Sequence, residues 1–445
     1  MSEQRTAGTG VWGMSGYQWT VVFAAWLGWG FDVFDGLLFN FIAPNCIPTL
    51  LGIPIGSAEA SRVTLWWTGV LTSLLLLGWA LGGILFGRIA DRLGRTRTLM
   101  LTMLLYSVGT ALCALAPNVY VLAMFRFVAS LGIGGEWAAG AAMVAEAVPE
   151  KRRIEAGALL YTSAPLGLAL ATLVNYQVSG VWFRDSPEVA WRYVFMSGLL
   201  PAAVALIVRF FVKEPERWTN LKDRTPPRVA ELFSPANRRL TISGLITAVT
   251  ALITWWTCNA FIPVIASGLA GVRAAADGLT GTAVTALKES WKAQATNWFN
   301  LGGLIGTLLT VPAAKILGRR AMFAIYFLVS GASILLAFGP ALKPETHLMM
   351  YFPIGLSVFG VFGSFTYYLP ELFPTRLRGT GSGFCYNIGR VAAAVGPFLV
   401  VSIVRSGSTA LESAMHVLFF VGFVPIIGTF ALKWVIETKG RALPE

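Results

Sequence analysis

The stretch EAVPEKRR at residues 146–153 returns as ELFPTRLR at 371–378, so that Glu146, Pro149 and Arg153 find counterparts at identical spacing in Glu371, Pro374 and Arg378. Working outward at an offset of about 224 residues, Gly94-Arg95 matches Gly318-Arg319, and Glu214-Pro215-Glu216 matches Glu437-Thr438-Lys439. Three landmarks in one register mark an internal repeat, and the chain therefore consists of two related halves.

The sequence between these landmarks is that of a membrane protein. Of 445 residues, 56% are hydrophobic and only 13% charged, against roughly 25% charged in a typical soluble domain. A helix needs about 20 apolar residues to cross the hydrocarbon. Runs of that kind lie near 18–43, 65–89, 98–116, 119–146, 155–180 and 192–213, and again near 240–268, 294–315, 321–338, 347–372, 379–404 and 412–434. The expected architecture is all-α and integral to the membrane: twelve transmembrane helices in two pseudo-symmetric six-helix bundles. The bundles are expected at 1–213 and 240–445, joined by a polar, Pro-rich linker at 214–239. Residues 1–16 carry Arg5 as their one cation and lack the basic start of a cleaved signal peptide, so the first helix is expected to stay.

A net charge of +12 could point to nucleic acid, but the positions of the cations give another account. With the N-terminus in the cytoplasm, 23 of the 34 Lys and Arg fall on the cytoplasmic side and eight on the other. That bias sets topology. It predicts a multi-pass protein of the cell (inner or plasma) membrane with both termini cytoplasmic and no nucleic-acid partner. Cys46, Cys113, Cys258 and Cys385 are scattered, with no C-x-x-C pair and two histidines in the chain, so neither a metal site nor a disulfide framework is expected. No Walker loop follows a strand, which excludes ATP as the energy source, and no cofactor is expected. Gly78-x-x-x-Gly82, Gly83-x-x-x-Gly87 and Gly302-x-x-x-Gly306 read as close helix packing.

The loop Gly87-x-x-x-Asp91-Arg92-x-Gly94-Arg95 resembles the signature between helices 2 and 3 of the major facilitator superfamily, and ELFPTRLRGTGSG at 371–383 resembles its sugar-porter and organic-acid branches. The resemblance covers nearly the whole chain. It implies a transporter and no enzyme, working as a monomer by alternating access. The second copy of the loop has Lys315 where the first has Asp91, so the latch should be stronger in the N-terminal half. In that latch Asp91 accepts hydrogen bonds at a helix terminus while Arg92, Arg95 and Arg97 meet carboxylates and carbonyls, bonds that are strong when dry and weak when wet. Glu146, Arg153, Glu371 and Arg378 complete the expected gating set.

An ionisable side chain near a helix centre costs roughly 2.5–3.5 kcal/mol on insertion scales, so each needs a reason to be there. Asp32 and Asp35 in WGFDVFDGLLFNF share one helix face at i,i+3. Two carboxylates so close resist ionising together, which suits one of them to carry a proton. Arg126 in RFVASLGIGGEW lies roughly 10 Å deep, Asp35 roughly 12 Å and Asp32 roughly 16 Å, at 1.5 Å per residue. Sugar:proton symporters of the superfamily pair a helix-1 aspartate with this arginine. Their F-G-x-D pattern points to Asp32 and the depths to Asp35; both stay open, as does a permanent structural ion pair. Glu136 is too far along its helix to pair with Arg126 and reads as a gating or packing residue.

Arg390 in GFCYNIGRVAAAVGP lies roughly 17 Å from the inner face, where a guanidinium suits a carboxylate solute, or else an internal acid or carbonyls. Tyr386 and Asn387 lie one turn earlier. Asn40, Tyr161, Trp256 and Asn259 are further candidates for the solute site. D-x-F-D on the first span with R-F…G-G-E-W on the fourth resembles the sialate:proton symporters and the aromatic-acid and metabolite:proton symporters. The resemblance implies import of a small organic anion (sialic acid, a monocarboxylate or an aromatic acid) with protons. A sugar or polyol symporter is the alternative. A drug or metabolite exporter fits less well, because Ala164-Pro165-Leu166-Gly167 lacks the exporters' G-P-x-x-G-G.

Overall fold

The structure, a computed structural model, describes residues 13–55, 57–183, 185–203, 211–214, 216–220, 227–280, 282–394 and 410–444. Parts of four expected segments lie outside them: the polar start through residue 12, 204–210 of the sixth span, 215 and 221–226 of the linker, and 395–404 of the eleventh span.

Among the described residues the chain is helical throughout and contains no strand. The first half holds α1 (Gly16–Leu51), α2 (Ala58–Leu93), α3 (Arg95–Cys113), α4 (Val119–Ala147), α5 (Arg153–Tyr161), α6 (Ser163–Asn175) and α7 (Pro187–Met196). The second holds α8 (Arg238–Ala276), α9 (Thr282–Ile316), α10 (Arg319–Phe338), α11 (Pro344–Ile354), α12 (Phe365–Leu372), α13 (Arg378–Ala394), α14 (Ala410–Val421) and α15 (Phe423–Ala431). Nine helical stretches among the described residues are long and apolar enough to cross a membrane.

Local chemistry fixes where helices begin. Ser15 and Gln18 form a reciprocal capping box before α1, the Ser15 Oγ accepting from Gln18 N and the Gln18 Oε1 from Ser15 N. Ser57 and Asn118 accept from the first free amides of α2 and α4. The starts of α3 and α10 are built differently. Each follows a glycine at positive φ, Gly94 at 109° and Gly318 at 91°, and each is capped by a distant glutamate, Glu214 or Glu437.

Packing divides the described residues into two compact units. One comprises the chain up to Arg238 with Thr366–Asn387 and the tail from Arg441; the other comprises Arg239–Phe365 and Ile388–Gly440. The segment 366–387 and the tail thus join the first unit although they lie beyond the linker. In that unit α2 and α4 approach backbone to backbone: a Cβ on Gly82 would collide with Leu131 and one on Gly134 with Trp79. Close contact of this kind is how helices associate without help from water. In the other unit Gly302 and Gly306 meet Phe352 and Leu356 in the same way. An apolar core in the first unit includes Phe34, Leu38, Phe39, Ile42, Leu122, Trp191 and Phe195.

Candidate functional site

Two charged clusters and one aromatic cluster occupy the first unit. The first charged cluster is built on α1, α3 and α4. Asp32, Asp35, Arg126 and Glu136 are all buried, none more than 3% exposed. Asp35 stands against Thr110 and the backbone of Gly198, and its charge and that of Arg126 act on each other. Arg126 makes no ion pair within 4 Å among the described residues; its Nη2 donates to the Gly36 carbonyl at 3.4 Å and its guanidinium lies 4.6 Å from the centre of the Phe39 ring. Of the two aspartates left open by the sequence, Asp35 is thus one whose charge acts on the arginine, and Asp32 lies three residues before it on the same helix.

Glu136, which reads from the sequence as a gating or packing residue, lies ten residues from Glu146 on the same helix, roughly 15 Å. Its carboxylate lies against Gly28 of α1, where a side chain would collide with it, and finds no hydrogen-bond partner among the described residues. Tyr106 of α3, which the sequence reading missed, is buried and lies in the fields of Glu136, Asp32 and Asp35. A phenol three residues before the Gly109 that packs on α4 was the available signal.

The second charged cluster surrounds the start of α13. Asp91 accepts from Gly379 N at 2.9 Å, Thr380 N at 2.6 Å and Thr380 Oγ1 at 2.7 Å, so it caps that helix. Arg95, fully buried, pairs with Asp91 and with Glu146, each at 2.9 Å, and donates to the Thr375 carbonyl. Glu146 also receives Arg378 at 2.7 Å, while Arg153 faces Glu371 at 3.6 Å. The repeat-related pairs thus exchange partners, each arginine meeting the glutamate of the other copy. The C-terminal tail enters too: Arg378 Nη2 donates to the Pro444 carbonyl and Leu443 N to Glu150. Beside it Glu231 pairs with Arg376, and that hydrogen bond holds the Glu231 carboxyl below its ordinary range despite partial burial. Arg92 is a correction. It is exposed and enters no ion pair among the described residues, because one position along α2 from Asp91 turns it away from the cluster. Arg97 is exposed likewise, and its backbone N–H, not its side chain, meets Glu214.

The expected solute residues are divided. Tyr161, Tyr386 and Asn387 lie buried in the first unit, Asn387 donating to the Gly383 carbonyl at 2.8 Å and filling the space beside Gly83. Asn40 is exposed. In the second unit Arg390 is buried, one residue after Gly389, which packs on Val249 and Leu252 of α8. Trp256 and Asn259 are half-buried there, Trp256 edge-on to Trp255 at 4.8 Å. Tyr161 and Tyr386 flank two tryptophans that the sequence reading did not select, Trp29 of α1 and Trp137 of α4.

The sequence model of the Major Facilitator Superfamily matches residues 18–397. A sialic acid transporter of Escherichia coli is 26% identical over 86% of this chain and 86% of its own length. A cis,cis-muconate transport protein of Acinetobacter baylyi is 27% identical over 81% of this chain and 84% of its own. Among solved structures, a proton:xylose symporter bound to a bromo-deoxyglucose superposes with a TM-score of 0.75 at 18% identity, covering 96% of this chain and 98% of its own.

Proposed function

We propose that this chain, which belongs to the Major Facilitator Superfamily and is accordingly a membrane transporter of twelve helices in two bundles and not an enzyme, imports a small organic anion together with protons. The family and the curated relatives make it a transporter of small organic acids. The finer reading adds proton coupling, import, a monomeric state, an inner or plasma membrane location and cytoplasmic termini, the last from the distribution of Lys and Arg. The bundles are taken as 1–213 and 240–445 with the linker at 214–239.

The observation that carries this reading is the group Asp32, Asp35, Glu136 and Arg126, enclosed in apolar helices with the arginine resting on a carbonyl and an aromatic face. Buried charge of this kind is costly and marks ion pathways. An aspartate that gains a proton releases its hold on Arg126, and the two states favour different orientations of the bundles. Glu136 joins this proton-handling group in our reading, and Asp91, Arg95, Glu146, Arg153, Glu371 and Arg378 form the cytoplasmic latch. Arg390 takes the solute carboxylate.

In proteoliposomes, Asp32→Asn, Asp35→Asn and Glu136→Gln are each expected to abolish uphill accumulation driven by a proton gradient while sparing exchange. Full accumulation in all three refutes proton coupling at this group. Arg390→Gln is expected to lower affinity for the anion, and unchanged affinity removes it from the site. A sugar or polyol is the second reading, favoured by the sugar-porter-like ELFPTRLRGTGSG segment. Thermal-shift screening of carboxylates against hexoses separates the two, since a bound ligand stabilises by mass action.

A further inference from the structure

Four aromatic rings from four helices form a continuous row inside the first unit. Tyr161 of α5 lies 5.8 Å from Trp29 of α1, Trp29 lies 6.5 Å from Trp137 of α4, and Trp137 stacks on Tyr386 of α13 at 3.9 Å with 10° between the planes. None is more than 4% exposed. The two ends of the row, Tyr161 and Tyr386, are equivalent positions of the internal repeat. The two middle members carry unused chemistry: neither the Trp29 nor the Trp137 indole N–H has a hydrogen-bond partner among the described residues. A buried indole normally finds an acceptor for that donor, so packing alone accounts poorly for two such donors side by side.

We infer that this row is the specificity site for the solute and that it selects a planar, conjugated carboxylate, such as an aromatic acid, over a puckered sugar acid. The inference rests on the organic-anion reading given above and narrows it. Stacked faces accept a flat π system at ring separations like those already present in the row. Indole N–H groups donate in the plane of their rings and therefore meet acceptor oxygens at the edge of a flat solute, where a carboxylate conjugated with a ring or diene holds them. A sugar acid projects hydroxyls above and below its ring and would meet π faces where it needs polar partners. In this conformation the Trp137 face is covered by Tyr386, and the solute ring takes over that face when Tyr386 withdraws. Glu136 precedes Trp137 and Asp32 lies one turn beyond Trp29. An anion entering this neighbourhood is repelled by ionised carboxylates, which ties its entry to that of a proton.

The test is binding to purified protein, read by competition against radiolabelled benzoate, with nicotinate, lactate, sialic acid and glucose as competitors and tryptophan fluorescence as a second signal. Wild type is expected to bind benzoate and nicotinate more tightly than lactate or sialic acid, with saturable quenching. Trp137→Leu, which removes the stacking face, is expected to weaken benzoate about tenfold or more, and Trp137→Phe and Trp29→Phe, which keep a ring and lose the N–H, severalfold. Thermal unfolding shows that each variant is folded; should Trp137→Leu fail to fold, the two Phe variants carry the test. Sialic acid or lactate binding without competition by planar acids overturns the inference and leaves the organic-anion reading standing. Glucose binding with no carboxylate binding overturns that reading itself. Unchanged benzoate affinity in the folded Phe variants, and in Trp137→Leu where it folds, also overturns the inference.

Discussion

The loop before α3 and its copy before α10 share a backbone and differ in charge. Both turn through a glycine at positive φ, and in both a glutamate from about 118 residues downstream accepts the first helical amides. Glu214 receives Arg95, Thr96 and Arg97; Glu437 receives Arg319 and Arg320, and Lys439 besides. In both the following arginine donates to the carbonyl five residues earlier, at 2.7 Å for Arg95 and 3.4 Å for Arg319. Only the first copy has the aspartate that converts this turn into a helix cap and an ion pair. The cap and the glycine are what the fold requires, and the acid is an addition that serves another purpose.

The most direct way to break this comparison is at Glu146, which neutralises both Arg95 and Arg378 with no side-chain exposure. Glu146→Gln removes a counter-charge shared by two buried guanidinium groups, Arg95 keeping Asp91 at 2.9 Å, a loss of about 3–5 kcal/mol by analogy with other broken buried pairs. The midpoint of thermal unfolding in detergent should fall further than for Glu371→Gln, whose carboxylate faces Arg153 at 3.6 Å. Equal losses would mean that the two exchanged pairs contribute alike and that the asymmetry between copies is cosmetic.

Asp91→Asn against Lys315→Gln sharpens it. The aspartate accepts three hydrogen bonds from Gly379 and Thr380, and bonds to a charged acceptor contribute about 1.5–3 kcal/mol each when removed. Transport is expected to change about tenfold in Asp91→Asn and less than about twofold in Lys315→Gln, since one tenfold step corresponds to about 1.4 kcal/mol. An Asp91→Asn protein with wild-type transport would remove the latch from the mechanism.

The repeat, the helical class and the residues of the ion network could be read in the sequence, because spacing survives in one dimension. The exchange of partners between Glu146–Arg378 and Glu371–Arg153 could not, since nothing in either copy says which glutamate its arginine will face. Glu214 was visible as a landmark without its role, because a cap acts on amides 119 residues away. Arg92 was misjudged: a basic motif fixes composition, and the helical turn decides which member points inward. Tyr106 comes into the fields of Glu136, Asp32 and Asp35 only through the packing of α1, α3 and α4, which depends on the depth at which each helix sits. Trp29 and Trp137 read as ordinary apolar residues until their rings are seen in one row.

Gly94→Ala and Gly318→Ala test the part the copies share. Both glycines sit in backbone space that other residues enter at a cost of about 1–3 kcal/mol, and a Cβ at either would press on the capping glutamate, 2.6 Å from the Glu214 Cδ and 2.9 Å from that of Glu437. The two substitutions should lower the unfolding midpoint by similar amounts, in contrast to the unequal effects at Asp91 and Lys315. A large loss for Gly94 beside none for Gly318 would show that the cap matters only where the aspartate accompanies it.

The smallest effect is expected from pH at Glu437, which stands outside the spanning helices and is half-buried. Desolvation raises its carboxyl, but the amides of Arg319, Arg320 and Lys439 together with the charge of Arg319 outweigh that and hold it below the ordinary carboxylate range. The folded state therefore binds fewer protons than the unfolded state across that window, so this stabilisation is complete above the unfolded group's titration and is lost as pH falls toward the folded one. The unfolding midpoint of wild type should drop over that interval more steeply than that of Glu437→Gln, which has no proton to gain there. Because the group is partly solvated the difference should be modest, and parallel curves for the two proteins would mean that the second copy keeps the shape of the cap without drawing stability from its charge.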